Sequence, residues 1–233
     1  MTRRLCTLAL LVALGVGAAP GVADAAGHAG GTAEPQAATK AGAGRESLRL
    51  RAAVRALPVA AETPDGYDRD LFQHWIDADS DCQDTREEVL VAESQVALDG
   101  CTITTGRWFS WYDRATWTQA SDVDIDHLVP LKEAWDSGAA SWDAGTRERF
   151  ANDLGDRRAL VAVTDNVNQS KSDQDVAEWM PAYGGCRYVR SWVAVKLRWG
   201  LAVDPTERAA LRRHARHCAN RLVGYVHARP AER

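Results

Sequence analysis

Polar and apolar residues alternate from Asp122 to Asp126, reach the pair Asp126-His127, and give way to the apolar run Leu128-Val129-Pro130-Leu131. A period of two predicts a short strand that delivers a carboxylate and an imidazole side by side at its end. Upstream, Leu48, Leu50, Val54 and Leu57 predict a short helix that stops before Pro58. Tyr67, Leu71, Phe72 and Trp75 fall at helical spacing, and Thr85 with Glu88 forms a plausible capping box for another helix. The aromatic stretch Gly106 to Asp113 reads as a strand, Lys132 to Ser137 and Thr146 to Leu154 as helices, and Arg158 to Thr164 as a short strand. A helix with polar residues in its first turn opens at Asn166 and is expected to run to about Trp179, ahead of Pro181. Val189, Trp192, Val193 and Trp199 mark an amphipathic helix, and Asp204-Pro205-Thr206-Glu207 starts one that continues toward Cys218. No internal repeat is visible.

The two ends of the chain change this picture. Arg3 and Arg4 precede an apolar run from Leu5 to Ala19, followed by Val22-Ala23-Asp24-Ala25-Ala26. Residues 1–25 therefore read as a secretory signal peptide, the run being short for a membrane span. Residues 26–46, rich in Ala, Gly and Thr, read as a linker, which leaves 47–233 as a single domain. The mature protein is expected to be secreted, free of the membrane and monomeric. At the C-terminal end (186–225), Arg187, Arg190, Lys196, Arg198, Arg208, Arg212, Arg213, Arg216 and Arg221 face only Asp204 and Glu207. The chain's net charge is −4, so any nucleic-acid surface must be local, and this segment is the place for it. Solvated faces of ordinary surface helices explain the same charges equally well.

Export gives the cysteines a meaning. With Cys6 removed, Cys82, Cys101, Cys186 and Cys218 remain, an even count in an oxidising compartment. Cys82–Cys101 and Cys186–Cys218 are the preferred pairs, since each closes a short loop. The alternative, a four-cysteine zinc site, lacks any C-x-x-C spacing. Most of the nine tryptophans are expected to be half-buried with their indole N–H groups satisfied.

The chemistry lies in two clusters, Asp126-His127 and Asn166-Val167-Asn168-Gln169-Ser170-Lys171-Ser172-Asp173. Folded as two strands and a helix, an α+β unit, they bring Asp126, His127 and Asn168 around one point. Asp126 and Asn168 offer hard oxygen ligands suited to Mg²⁺, with Mn²⁺ or another divalent ion as alternatives. His127 is placed to take a proton from an attacking water, which suits phosphodiester hydrolysis. Arg86 is a candidate phosphate anchor, although an ion pair with a helical neighbour fits as well. His74, His214 and His217 read as surface or packing residues. Taken singly, Asp126-His127 also reads as a hydrogen-bonded strand end and Asn166 and Asn168 as helix caps.

The run Asp126-His127-Leu128-Val129-Pro130-Leu131, followed by Asn168-Gln169-Ser170-Lys171-Ser172-Asp173 and Trp179-Met180-Pro181, resembles the HNH (His-Me finger) endonucleases. It is most similar to the secreted group that shares its domain with the C-terminal part of GmrSD-type restriction enzymes, over roughly Tyr67 to Cys218. The resemblance implies a ββα-metal finger, about 108–181, embedded in a mainly helical, disulfide-stabilised domain. It implies His127 as general base, Asp126 and Asn168 as metal ligands, and Lys171 near the substrate phosphates. It also implies cleavage of DNA, or of RNA, to a 5′-phosphate and a 3′-hydroxyl. One departure stands out: where the motif carries its middle asparagine, this chain reads Arg157-Arg158-Ala159-Leu160. Asn152, Asp153 or Arg158 is expected to supply the missing brace. The competing expectation is a secreted binding protein that keeps the finger for nucleic acid or another polyanion without cutting it.

Overall fold

The structure, a computed structural model, describes residues 44–228. The segment read as a signal peptide, and the linker up to residue 43, lie outside the described residues. In chain order come strand β1 (Glu46–Arg49), helix α1 (Leu50–Ala56), helix α2 (Thr85–Glu93) and strands β2 (Thr105–Phe109), β3 (Thr116–Gln119) and β4 (Val123–His127). Helices α3 (Leu131–Asp136) and α4 (Ala144–Ala151), strand β5 (Leu160–Thr164) and helix α5 (Asp165–Lys171) follow. Helices α6 (Gly185–Trp199) and α7 (Pro205–His217) and strand β6 (Leu222–Tyr225) complete an α+β fold.

The strands form three antiparallel pairs, β1 with β6, β2 with β3, and β4 with β5. In the third, Val123 lies opposite Thr164 and His127 opposite Leu160. Every residue of β5 is buried, which suits its β-branched sequence Leu-Val-Ala-Val-Thr. Helix α5 leaves β5 without an intervening loop, so β4, β5 and α5 form one compact strand-strand-helix unit.

Helix α6 carries the core beneath it. Tyr188, Val189, Trp192 and Val193 are fully buried, and Gly200 ends the helix in the left-handed conformation at φ 66°. Truncating Trp192 to alanine would cost about 3–5 kcal/mol. Asp204 caps α7 through the backbone amides of Thr206 and Glu207, with Pro205 in the first turn. Disulfides join Cys82 to Cys101 and Cys186 to Cys218. Indole N–H groups of Trp108, Trp117, Trp135, Trp192 and Trp199 reach acceptors, while Trp111 Nε1 is buried with none.

Four local expectations need correction. The linker ends earlier than residue 46, because Glu46 and Ser47 pair with Tyr225 and Gly224 across the β1–β6 ladder. The 67–76 stretch is not a helix but a single turn, Arg69–Leu71, since Asp68 caps it and Trp75 takes a left-handed φ of 59°. Asp84, not Thr85, caps α2; Thr85 Oγ1 donates instead to the Ile76 carbonyl. Helix α5 stops at Lys171 rather than near Trp179, because Ser172 turns left-handed at φ 49° and Asp175 caps a new turn through Ala177 and Glu178.

Candidate active site

Strand β4 buries Val123 and Ile125 on the core side, and its end delivers Asp126 and His127, which are only 4% and 7% exposed. Each oxygen of the Asp126 carboxylate accepts one hydrogen bond. Its Oδ1 accepts from Lys171 Nζ at 2.6 Å and its Oδ2 from the Tyr112 hydroxyl at 2.5 Å. Lys171 has no exposed surface and also donates to the His127 carbonyl at 2.9 Å. Burial pushes the Asp126 carboxyl up and the Lys171 ammonium down, each opposed by the other's charge. Burial likewise holds Tyr112 as a phenol, able to donate.

His127 sits in a different balance. Its Nε2 lies 2.8 Å from the Ala151 carbonyl, so that nitrogen carries the proton and Nδ1 keeps its lone pair. Burial, then the nearby charges of Arg69, His74 and Lys171, pulls the imidazole down to about 3 against the support of that carbonyl. The ring is therefore neutral at pH 7. Trp75 packs on it at 5.5 Å between centroids, and His74 stands 6.2 Å away edge-on. His74, expected as a surface or packing residue, packs as part of the wall around this ring, and its own Nδ1 is held by the Phe72 carbonyl at 2.8 Å.

Asp126, His127 and Asn168 line one cavity of about 380 Å³, together with Arg69, Ser172 and Asp173. Asn168 Nδ2 donates to Asp124 Oδ2 at 3.2 Å, which leaves the Asn168 amide oxygen as an acceptor. Arg69 is exposed at this cavity, and no pattern in the sequence pointed to it. It arrives from a turn more than fifty residues upstream of His127. Lys171, expected near substrate phosphates, is sealed beneath Asp126 instead, because its ammonium is consumed by that carboxylate. Arg86 is also committed elsewhere: its Nη2 donates to the carbonyls of Ala120 and Val123 at 3.1 and 2.9 Å, bracing the entry to β4. Those contacts give no support to a phosphate-anchoring role.

The three residues expected to supply a brace, Asn152, Asp153 and Arg158, all make hydrogen bonds near His127. Asn152 directly follows the carbonyl that holds His127, and its Nδ2 donates to Gln73 O and Glu148 O at 2.9 and 2.8 Å. Asp153 accepts from Arg198 and Trp199, and Arg158 pairs with Asp156, so all three candidates brace this region. Asn152 is the one that touches both the 73–76 stretch and α4.

Two other placements bear on cation and anion chemistry. Lys196, counted with the basic C-terminal residues, is fully buried between Glu133 and Glu207 at 2.5 and 2.6 Å, so the basic face is smaller than the sequence implied. Asp77, Asp79 and Asp81 bring carboxylate oxygens within 4.8 Å of one another on the surface. With Glu88 they follow the D-x-D-x-D…E spacing of calcium loops, and Cys82 at φ 79° occupies the place those loops give to glycine. Burial and then Asp79, Asp81 and Asp77 push the Glu88 carboxyl up, so the four acids crowd one another. That spacing is legible in the sequence itself.

The family model of the GmrSD restriction endonucleases, C-terminal domain, matches residues 83–214, over half of the chain. An uncharacterized secreted protein of Arthroderma benhamiae (strain ATCC MYA-4681 / CBS 112371) is 53% identical over 151 residues, covering 63% of this chain and 73% of that protein. No solved structure matches. Among the described residues no helix is long and apolar enough to cross a membrane.

Proposed function

The chain belongs to the family of GmrSD restriction-endonuclease C-terminal domains, and from that premise we propose that it is a secreted, metal-dependent endonuclease that hydrolyses phosphodiester bonds of DNA. In this reading β4, β5 and α5 are the ββα finger of an HNH site. The observation that carries it is His127: a neutral imidazole with Nε2 pinned to the Ala151 carbonyl and Nδ1 left free, in a cavity shared with Asp126 and Asn168. A base held in one tautomer and one orientation is what water activation needs.

The donor set fits a hard divalent ion, Mg²⁺ first. Asp126 supplies a carboxylate whose oxygens each keep a second lone pair beyond the one given to Lys171 or Tyr112, and Asn168 supplies its amide oxygen. When bound, such an ion neutralises charge on the phosphorus oxygens and stabilises the leaving alkoxide. The residues of the chain do the rest. Lys171 and Tyr112 hold the Asp126 carboxylate in one orientation. Nδ1 of His127 takes a proton from water, the resulting hydroxide attacks phosphorus, and the 3′-oxygen departs, leaving a 5′-phosphate. Arg69, at the open side of the cavity, pairs with a phosphate oxygen of the bound strand.

Supercoiled plasmid incubated with Mg²⁺ or Mn²⁺ should be nicked by the wild type and left intact by His127→Ala, with the variant still folded. A wild type inert toward DNA and RNA in Mg²⁺, Mn²⁺, Zn²⁺ and Ni²⁺ would sink the nuclease reading. A second reading, a binding protein without catalysis, is favoured by one observation: both Asp126 oxygens already have internal partners. It predicts metal-independent binding of DNA that is unchanged in His127→Ala.

A further inference from the structure

A second cavity, about 420 Å³, lies between the turn ahead of β5 and strand β6 and shares no lining residue with the one beside His127. Four arginines wall it, Arg45, Arg157, Arg158 and Arg198, against a single acidic lining residue, Asp156. Two of the guanidiniums are neutralised. Arg158 Nε pairs with Asp156 at 2.8 Å, and Arg198 grips Asp153 through Nε and Nη2 at 2.7 and 2.8 Å. Arg45 and Arg157 are exposed and make no ion pair among the described residues.

The backbone is cut to fit these side chains. A Cβ on Gly155 would stand 2.7 Å from Arg198 Nη2, and one on Gly224 would stand 3.2 Å from Arg45 Nη1, so both positions leave room that a side chain would fill. The positive surface also continues beyond the cavity. Arg157 lies within electrostatic reach of Arg187, which in turn feels Arg190, and Arg187 stacks over the Trp111 ring at 4.3 Å. One carboxylate, the half-buried Glu93, lies within electrostatic reach of both Arg157 and Arg187 and offsets part of this charge, so with Arg45 and Arg190 the surface stays net positive in a chain whose net charge is −4.

We propose that the arginine-walled cavity and its extension along Arg157, Arg187 and Arg190 bind phosphate groups of a nucleic-acid backbone outside the catalytic cavity. Guanidinium forks match phosphate oxygens in pairs, and successive phosphates along a strand match a row of separated arginines. The cavity is also far larger than one orthophosphate requires, which favours a phosphodiester with its sugar. The inference rests on the nuclease reading for its ligand class, and its test does not require cleavage.

Binding of a fluorescent duplex is measured by anisotropy in EDTA across a salt series, for the wild type and for the double variant Arg45→Ala, Arg157→Ala. Both side chains are exposed and unpaired, so the fold is spared. The dissociation constant should rise by about tenfold or more, and the slope of log affinity against log salt should fall by about 1.8, the loss of two phosphate contacts. Turnover of bis(p-nitrophenyl) phosphate in Mn²⁺ should equal that of the wild type. Unchanged affinity and slope in the double variant would overturn the proposal. So would orthophosphate raising the wild-type melting temperature at constant ionic strength while duplex binding stays insensitive to the variant, since the ligand would then be the free ion. A wild type that binds duplex through these arginines yet cuts nothing refutes the nuclease reading and leaves this surface standing.

Discussion

Replacing Lys171 by methionine isolates the charge balance on which the candidate site depends. Methionine keeps most of the apolar stem and removes the ammonium that bonds Asp126 at 2.6 Å and the His127 carbonyl at 2.9 Å. Both partners of the ion pair are buried, 0% and 4% exposed in their side chains, so solvent cannot take the place of the lost charge. Removing one member of such a pair costs about 3–5 kcal/mol. For a domain of this size that lowers the melting temperature by roughly 6–20 °C. Two companion measurements separate an unpaired carboxylate from simple loss of packing. The double variant Lys171→Met, Asp126→Asn carries no buried charge, and it should recover most of the loss, with a coupling of about 2 kcal/mol or more. A divalent ion held by Asp126 should rescue the single variant, by about 2.7 kcal/mol at a hundredfold excess over its dissociation constant. Thermal melts with and without Mn²⁺ read all three. A single variant within about 2 °C of the wild type, or a double variant no more stable than the single, refutes the reasoning.

Asn152→Ala should lose about 2 kcal/mol for its two Nδ2 bonds and should lower kcat by tenfold or more with duplex affinity unchanged, because the neighbouring Ala151 carbonyl no longer fixes His127; full kcat in the variant would remove Asn152 as the brace. The imidazole of His127 falls from 6.5 to about 3 on folding, so its contribution is fully present above pH 6.5 and is lost as pH drops toward 3. That amounts to about 5 kcal/mol over the window, and urea melts of His127→Asn should show a shallower acid decline than the wild type; parallel curves would contradict it. Millimolar calcium should raise the wild-type melting temperature over EDTA, and Asp79→Ala should abolish the shift, since Asp77, Asp79 and Asp81 then no longer converge; a melting temperature indifferent to calcium rejects a calcium loop there.

Much of the strand-strand-helix unit is legible in the sequence because it is local. Alternation over Val123 to His127, the β-branched run Leu160 to Thr164, and a polar helix start directly after it specify two strands and a helix without distant contacts. The Asp204-Pro205 start of α7 was equally local, since capping depends on residues a few positions apart. What escaped prediction depends on residues far apart in sequence. The 67–76 stretch has helical apolar spacing, yet Tyr67 and Phe72 turn inward against Trp135, and Trp75 is needed against His127. Tertiary packing overrode the periodicity, and the same rearrangement carried His74 and Arg69 to the site. Lys171 differs for a related reason: the resemblance placed it near substrate phosphates, and the carboxylate that holds it in the interior, Asp126, lies 45 residues away in sequence.

The arrangement around Asp126 explains how a buried carboxylate persists at the end of β4 in the folded chain. Asp124 and Asp126 are two carboxylates on one short strand, and a neutral imidazole adjoins them. Left alone, the buried Asp126 charge would favour protonation or local unfolding, since burial acts against its ionised form. Lys171 reaches it from the last turn of α5, the same helix that presents Asn168 to Asp124. Docking that helix therefore does two things at once: it neutralises the strand-end carboxylate and brings Asn168 to the cavity that Asp126 lines. The Lys171 ammonium meets Asp126 and a backbone carbonyl, and Tyr112 takes the other carboxylate oxygen, so the pair is satisfied without borrowing His127. That leaves the imidazole held only through Nε2, with its other nitrogen uncommitted, which is the arrangement a proton acceptor requires. A lysine buried against Asp126 is not open to solvent at the cavity, whereas Arg69 lines the same cavity and is exposed.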